Sequence, residues 1–398
     1  MPTDGPVPNL RFPEFRDAGP WEVKRLGELV TTIAPPKKLQ TTEYQPSGQF
    51  PIIDQSPNDI CGWTDDEAAL VEVDFPVVVF GDHSCVVKLV ESPFAQGADG
   101  IKILAPADDI DGRFLFLSLE ANPVEQKGYN RHFSDLKEKL IPFPLKASGE
   151  QQKIADCLSS LDDLIRAEGA RLGALKDHKR ALMQRLFPRP GETTPRLRFP
   201  AFRDAGPWEV KRLGEVLTEH GLKSSGREEV FSVSVHKGLV NQREHLGRSF
   251  AAENTGHYNL VRPGDVIYTK SPTGEFPLGI VKQSKIDTNV IVSPLYGVFA
   301  PRNIAIGALL DAFFESPSRA RIFLDPLAQK GAKNTINISN EAFLSGQITL
   351  PPVENEQQKI ADCLSSLDNL IRAEGARLGA LRSHKRGLMQ QLFPLDFG

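Results

Sequence analysis

The 398-residue chain has no long apolar run and only four cysteines. No stretch of 18 apolar residues is present, so we expect no membrane-spanning helix. The N-terminus has no basic stretch followed by an apolar core, which predicts no secretory signal and a cytoplasmic location. Cys61, Cys85, Cys157 and Cys363 form no C-x-x-C pair and have no histidine at metal-ligand spacing. We therefore expect reduced thiols and no metal site.

The chain also lacks a surplus of basic residues and the motifs of common enzymes. Its net charge of −4 argues against a generally basic nucleic-acid binder, although a local basic surface is enough to bind phosphates. We find no P-loop, H-E-x-x-H, G-x-S-x-G or G-x-G-x-x-G motif, no N-P-P-Y tetrad and no clear P-D-x-E-x-K pattern. These absences predict a chain that is not itself an enzyme.

A large duplication is present instead. Residues 10–28, LRFPEFRDAGPWEVKRLGE, return as residues 197–215 with Glu14 replaced by Ala201 as the only change. Residues 150–188 return as residues 356–394. Five positions differ between these copies: Asp163 and Asn369, Lys176 and Arg382, Asp177 and Ser383, Ala181 and Gly387, Arg185 and Gln391. The segments between the blocks are unlike each other. We call the repeated blocks the frame and the segments between them the inserts. The two copies of the frame are expected to meet the same surroundings, and the two inserts are expected to meet different ones.

The repeats divide the chain into two domains, each followed by a helix. The predicted order is a domain over 1–149 with its opening block at 10–28, a helix over 150–188, a linker over 189–196, a second domain over 197–355 with its opening block at 197–215, a second helix over 356–394 and a tail over 395–398.

Apolar residues of each repeated helix recur in alternating steps of four and three, which is the pattern of a coiled coil. In the first copy they are Ile154, Leu158, Leu161, Ile165, Leu172, Leu175, Leu182 and Leu186, with Glu168 and Lys179 filling the gaps. In the second copy they are Ile360, Leu364, Leu367, Ile371, Leu378, Leu381, Leu388 and Leu392, with Glu374 and Lys385 filling the gaps. The prolines at 188 and 394 stop the helices. Each helix is therefore expected to be roughly 55 Å long.

Each helix either packs on its own domain or pairs with its copy. The spacing is palindromic about the bond between Gly173 and Ala174, which favours antiparallel pairing. The expected pairs are Leu172 with Leu381, Leu175 with Leu378, Ile165 with Leu388, Leu161 with Leu392, Glu168 with Lys385, and Lys179 with Glu374. A parallel pair would bring like charges together in the seam, at a cost in stability.

Both inserts read as mixed α/β. Residues 75–80 predict a strand that ends in a small polar loop, and 86–90 predict the next strand. Residues 263–270 and 278–281 repeat this arrangement around another polar loop. Residues 100–104 correspond to 296–299. We expect the two inserts to be distant versions of one fold.

The loops carry residue types that bind phosphates or read base edges. In the first insert these are His83, Ser84, Lys127, Arg131 and His132. In the second they are Lys270, Ser271, Thr273, Lys330, Lys333 and Asn334, with Arg243, Arg248 and Arg262 as further candidates. The alternative is that most of them are solvated surface charges and ordinary turn residues.

The layout resembles the specificity subunit of type I restriction-modification systems. Ile348-Thr349-Leu350-Pro351-Pro352, followed by EQQKIA at 356–361, is similar to the family's signature where a recognition domain enters its helix. The first copy has Phe143-Pro144-Leu145 in place of the double proline. Gly264-Asp265-Val266 and the blocks at 21–28 and 208–215 also resemble family segments.

The resemblance implies an α+β chain with two target-recognition domains separated by two long antiparallel coiled-coil helices, with pseudo-twofold symmetry. Each domain would read one half of a bipartite, asymmetric double-stranded DNA site, and the helices would set the spacing. Two methyltransferase subunits carrying S-adenosylmethionine would dock on the frame and methylate adenine. Two restriction/translocase subunits carrying ATP and Mg would join them. The chain itself would hold no cofactor and no catalytic residue.

Two other classes remain open. A coiled-coil scaffold explains the helices but not why the inserts differ while the frame is kept. A DNA-binding protein outside a restriction system is the other.

Overall fold

The computed structural model describes residues 5–98, 100–128, 130–242, 255–270, 272–330 and 336–394. The chain forms two compact units, one of residues 1–170 with 375–398 and the other of residues 171–374. Each unit takes part of both long helices. None of the helices in the described part of the chain combines the length and apolar character that a membrane span requires.

The first unit is built on two four-stranded sheets. Its strands are β1 Glu22–Arg25, β2 Val30–Ile33, β3 Phe50–Ile53, β4 Gly62–Thr64, β5 Leu70–Val71, β6 Val77–Gly81, β7 Val87–Val90, β8 Phe94–Gln96, β9 Ile101–Pro106 and β10 Leu140–Phe143. Its short helices are α1 Leu26–Leu29, α2 Gly112–Ala121 and α3 Phe133–Glu138. The central sheet has the order β2-β9-β6-β7 with antiparallel neighbours, and the second sheet has the order β4-β3-β8-β5.

Helix α2 covers one face of the central sheet. It begins at Asp111, whose side chain accepts a hydrogen bond from the Phe114 backbone N–H, the usual role of an N-cap aspartate. Its inward face buries Phe114, Leu115, Leu117 and Leu119. The Phe114 ring packs against the rings of Trp21 and Phe393, at centroid distances of 5.8 and 5.4 Å. The opening block and the end of the second long helix therefore share this core.

The second unit repeats this architecture. Its strands are β11 Glu209–Arg212, β12 Leu217–Glu219, β13 Phe231–Ser234, β14 Gly238–Asn241, β15 Asn259–Val261, β16 Val266–Tyr268, β17 Val281–Gln283, β18 Val290–Val292, β19 Gly297–Pro301, β20 Gln329–Lys330, β21 Ile336–Asn337 and β22 Gln347–Leu350. Its short helices are α5 Ile304–Phe314, α6 Pro317–Leu324 and α7 Asn340–Ser345. The long helices are α4 Glu150–Leu186 and α8 Glu354–Leu392.

The two inserts have the same central sheet but different additions. The order β12-β19-β16-β17 matches β2-β9-β6-β7 strand for strand, and α5 lies against its sheet as α2 does. The prediction that the inserts are versions of one fold, with 100–104 corresponding to 296–299, is confirmed. The second unit pairs β13 with β14, β15 with β18 and β20 with β21, where the first unit has its second sheet.

The opening block and the start of the long helix are joined in the same way in each unit. Strand β1 runs antiparallel to β10, the strand before α4, with Glu22 opposite Phe143. Strand β11 runs antiparallel to β22, the strand before α8, with Glu209 opposite Leu350. These short ribbons give a structural reason why the two repeated blocks occur together.

Within each unit the two long helices lie side by side and run antiparallel. In the first unit Ile154 and Leu158 of α4 share a core with Met389 and Leu392 of α8. In the second unit Met183 and Leu186 of α4 share a core with Ile360 and Leu364 of α8. Early residues of one helix thus meet late residues of the other.

The predicted register of this pairing is wrong by about one heptad. Lys385 pairs with Asp162 at 2.8 Å rather than with Glu168, and Glu168 pairs with Arg377 at 2.9 Å. In the second unit Lys179 pairs with Asp368 at 2.6 Å rather than with Glu374, and Glu374 pairs with Arg171 at 3.0 Å. A heptad pattern fits equally well after a shift of seven residues, so apolar spacing did not distinguish the two registers.

Acidic residues of the recognition domains also favour the observed register of the long helices. Lys385 also contacts Glu120 of α2 at 2.8 Å, and Lys179 also contacts Glu315 at the end of α5. Burial opposes the charge of Lys385, but hydrogen bonds to Asp162 and Glu120 raise its pKa overall. The expected contacts Leu172–Leu381 and Leu175–Leu378 join residues assigned to different units and stay predictions.

Candidate nucleic-acid interface

In the first unit, the turn after β6 is held against the loop that precedes α3. The Asp82 carboxylate accepts hydrogen bonds from the backbone N–H groups of His132 and Phe133, at 3.0 and 2.8 Å. The Gln126 amide donates to the His83 carbonyl at 3.0 Å, and His83 Nδ1 lies 3.0 Å from the Asn130 carbonyl. Residues far apart in the sequence therefore form one polar edge beside the sheet.

His132 is part of this support and is not a DNA contact. Its side chain is 1% exposed. Its Nε2 accepts a hydrogen bond from the Lys127 backbone N–H at 2.9 Å, so the other nitrogen carries the proton and donates to the Asp82 carbonyl at 3.1 Å. Both nitrogens of a neutral ring are occupied. The prediction that His132 reads DNA is wrong, because a buried histidine with two internal partners has no free polar atom.

Other predicted residues of the first unit lie on the accessible edge. Lys127 and Arg131 are exposed, and the Lys127 ammonium is 3.6 Å from the Asp135 carboxylate. His83 is partly exposed. Ser84 accepts a weak hydrogen bond from the Val86 backbone N–H at 3.4 Å, within its own turn.

Two basic residues of this edge were missed in the sequence. Lys102 and Lys137 both lie over the ring of Phe133, with their ammonium groups 5.3 and 5.6 Å from its centroid. Such cation–π contacts hold the flexible side chains near the turn. No local motif marks the two lysines, because they come from β9 and α3 and meet only through the fold.

In the second unit, Lys270 is the second residue after the matching strand, β16. Its backbone has a φ of +59°, and Cys85 in the equivalent turn of the first unit has a φ of +56°. Non-glycine residues rarely adopt this left-handed backbone conformation. Those that do are found more often at functional sites. Burial lowers the pKa of Lys270, and the nearby Glu219 carboxylate partly opposes this shift. Thr273 is exposed and exchanges two backbone hydrogen bonds with Phe276.

The remaining candidates of the second unit are Lys330, Arg262 and five residues outside the described part of the chain. Lys330 belongs to strand β20. Arg262 faces its own loop, where its backbone N–H donates to the Asp265 carboxylate at 2.8 Å. The predicted residues that lie outside the described part of the chain are Ser271, Lys333, Asn334, Arg243 and Arg248.

A further polar pair near Lys270 was also missed. The Asn340 amide, at the start of α7, donates to the Glu219 carboxylate at the end of β12, at 2.6 Å. An amide and a carboxylate are groups that read adenine and cytosine in the major groove. The two residues are 121 positions apart, so no motif signals their proximity.

A buried ion pair fixes the opening block to the long helix in each unit. Arg11 forms two hydrogen bonds with the carboxylate of Glu150, the first residue of α4, both at 2.7 Å. Arg198 does the same with Glu356 at 2.6 and 2.7 Å, and this interaction raises the pKa of Arg198. These bidentate contacts make the glutamate of each EQQKIA segment a structural residue.

The glutamine that follows fixes the helix to the insert. The Gln151 amide donates to the carbonyls of Asp109 and Pro144, and its oxygen accepts from the Asp111 N–H at 2.7 Å. Gln357 donates to the Pro351 carbonyl at 2.7 Å. The repeated signature thus describes a joint between helix and recognition domain.

No cluster of three histidine, cysteine or acidic side chains suited to a metal ion occurs within the described residues. The four cysteines are not disulfide-bonded. The polar edges described above hold basic and amide groups, which suit a nucleic acid.

Comparisons with known proteins agree with this organisation. The family model of the type I restriction modification DNA specificity domain matches residues 19–176 and 239–381. The type I restriction enzyme MjaVIII specificity subunit of Methanocaldococcus jannaschii is 23% identical over 419 residues, covering 96% of this chain and 93% of that protein. The putative type I restriction enzyme MjaX specificity subunit of the same organism is 24% identical over 295 residues, covering 70% of this chain and 63% of that one.

The fold is also found in a solved structure. The crystal structure of the type I restriction-modification system S subunit from M. genitalium has a TM-score of 0.66 and 16% sequence identity, and the match covers 98% of this chain and all of that one. Because the family model matches well over half of the residues, the chain belongs to the family of type I restriction-modification specificity subunits.

Proposed function

We propose that this chain reads a two-part, asymmetric DNA site for a type I restriction-modification complex, one half with each recognition domain. The observation that carries this proposal is a central sheet of the same order in both units, with a different set of side chains at the matching edge. The first edge presents His83, Lys127 and Arg131. The second presents Lys270 and Thr273. Different polar groups on one scaffold are suited to different base sequences.

The long helices are proposed to set the distance between the two half-sites. Helix α4 has 37 residues and α8 has 39, each without interruption. At 1.5 Å per residue, 37 residues span about 55 Å. This is enough to place half-sites about one DNA turn, roughly 34 Å, apart.

The repeated frame is proposed to dock two copies of the methyltransferase subunit. Apolar side chains are exposed at repeat-equivalent positions in both units. Val23 and Val210 are 37% and 55% exposed, and Leu164 and Leu370 are each 39% exposed. Apolar side chains that stay partly exposed at the same position of both copies suit a common partner.

The catalytic steps would then be carried out by the partner subunits. In this proposal the methyltransferase subunits bind S-adenosylmethionine and methylate adenine, and two restriction/translocase subunits bind ATP and Mg. This chain binds double-stranded DNA and is not catalytic. The complex acts on the genome, so we place it in the cytoplasm.

Mapping of methylated adenines tests the proposal. Genomic DNA from the host is compared with DNA from a strain that lacks this gene. We expect one two-part motif to lose its methylation. Unchanged methylation in a strain whose methyltransferase gene is expressed would contradict it.

A gel-shift assay with the purified methyltransferase separates the alternatives. The proposed function predicts a sequence-selective shift that needs the partner. A scaffold would give no selective shift. A DNA-binding protein outside a restriction system would shift its site equally well alone.

A further inference from the structure

The frames of the two units differ at an exposed lysine near the start of each long helix. In the first unit the Lys153 ammonium lies 3.1 Å from the Glu14 carboxylate, and the two side chains are 50% and 46% exposed. In the second unit, Lys359 is the repeat equivalent of Lys153, and Ala201 occupies the position equivalent to Glu14. Among the described residues, no carboxylate forms an ion pair with Lys359.

A second exposed position differs in the same direction. Asp163 pairs with Arg166 one turn along α4, at 2.7 Å. At the matching place on α8, Asn369 offers Arg372 only a neutral amide oxygen, at 3.1 Å. The second unit thus keeps these two cations and lacks the two acids that neutralise them in the first. Of the other differing positions, Asp177 of the second unit, which pairs with Arg180 and is Ser383 in the first, acts in the opposite direction, and Arg185 of the second unit, which is Gln391 in the first, offsets it.

The difference does not arise from the fold of the frame. The Arg11–Glu150 and Arg198–Glu356 pairs have the same geometry to within 0.1 Å. Glu14 and Asp163 are surface residues with no buried partner. In a repeat with one change in its 19-residue opening block, the loss of these acids alters surface charge and little else.

We infer that the two docking sites for the methyltransferase are unequal, and that the second unit binds an acidic face of the methyltransferase more tightly and is occupied first. This inference rests on the proposed role of the frame. Lys359 and Arg372 are free to form ion pairs with the partner. Lys153 and Arg166 must first exchange an internal acid for an external one, which removes most of the gain.

The test measures the binding of purified methyltransferase subunit to the full-length chain by native mass spectrometry and calorimetry. At low ionic strength we expect the two dissociation constants to differ by about three- to tenfold more than the statistical ratio, since exposed ion pairs have small individual effects. High salt should reduce this difference. Equal sites at low salt would overturn the inference, whereas no binding at all would overturn the proposed function.

Hydrogen exchange at one methyltransferase per chain identifies the site that is filled first. Peptides that span position 163 or 369 differ in mass and are assignable to one copy of the frame. We expect stronger protection around Asn369 than around Asp163. Stronger protection around Asp163 would overturn the inference.

Exchanged variants supply the decisive comparison. Glu14→Ala with Asp163→Asn should bring the two dissociation constants closer to the statistical ratio. Adding Ala201→Glu and Asn369→Asp to these changes should reverse the order of filling. Asp74→Asn, which removes an exposed acid of the first unit outside the frame, is the matched control and should leave the ratio unchanged. An order of filling that is unaffected by the exchange would refute the role of these charges.

Discussion

At the scale of single residues, burial gives the histidines of the first unit different roles. His83 and His132 both lie at the polar edge, but only His83 keeps part of its surface exposed. His132 joins the Asp82 turn to the loop at Lys127 through both ring nitrogens. It therefore holds its neighbours in position and presents no free ring nitrogen of its own.

We predict that His132→Leu destabilises the first unit by about 1–3 kcal/mol, the usual cost of leaving buried hydrogen-bonding groups without partners. The Lys127 N–H and the Asp82 carbonyl would lose their bonds to the ring. Chemical denaturation followed by circular dichroism measures the change. His83→Leu is the control and should cost less than half as much. Equal losses from the two variants would contradict this role for His132.

We also predict that Arg11→Met and Arg198→Met have similar effects on the stability of their units. Each leaves a glutamate that is about 1% exposed without its cation, and loss of one partner of a buried pair costs about 3–5 kcal/mol. Thermal unfolding by calorimetry measures both. Arg16→Met, at an exposed position of the same block, should be nearly neutral. A neutral Arg11→Met variant would show that the pair does not hold the joint.

At the scale of elements, charge decides what the apolar pattern of the helices leaves open. Apolar residues at every third and fourth position allow several registers that differ by seven residues. Lys385 is satisfied in the observed register by Asp162 of the facing helix and Glu120 of α2. The recognition domain thus helps to align the helices that carry it.

Charge reversal distinguishes the two registers. Lys385→Glu should destabilise the first unit, because it places a third carboxylate beside Glu120 and Asp162. Adding Asp162→Lys should recover part of the loss, and adding Glu168→Lys should not. Unfolding free energies of the single and double variants form the test. Rescue by Glu168→Lys alone would support the register predicted from the sequence.

At the scale of the whole molecule, the proposed reading of one half-site by each unit implies that the two halves are recognised independently. The turn after β6 and the turn after β16 occupy matching positions but carry different side chains. A change at one edge should leave the other unaffected, since substitutions without shared partners act independently.

We predict that Arg131→Met relaxes one half of the methylated motif and that Lys270→Met relaxes the other. If the cation binds a base, discrimination at that position should fall by about 1–3 kcal/mol, and if it binds phosphate, overall affinity should fall without a change of motif. Methylome sequencing of host cells carrying each variant distinguishes these results. Relaxation of both halves by one variant would contradict independent reading.

The sequence alone determined the duplicated plan of this protein. Near-identical blocks predicted the same local structure twice, and the heptad spacing predicted two long helices and favoured their pairing. The matching strand–loop–strand segments predicted one fold for both inserts, because the same succession of apolar segments and polar loops favours the same strands in each. The polar edges at His83 and Lys270 were also located in this way.

Only the tertiary structure decided the register of the helices and the roles of individual polar residues. Lys385 meets Glu120 across 265 positions, and Asn340 meets Glu219 across 121 positions. In the sequence, His132 lies in a basic stretch and was predicted to contact DNA. In the fold it is buried like a core residue. Burial and partnership are properties of three-dimensional neighbours, which a linear pattern of residue types does not contain.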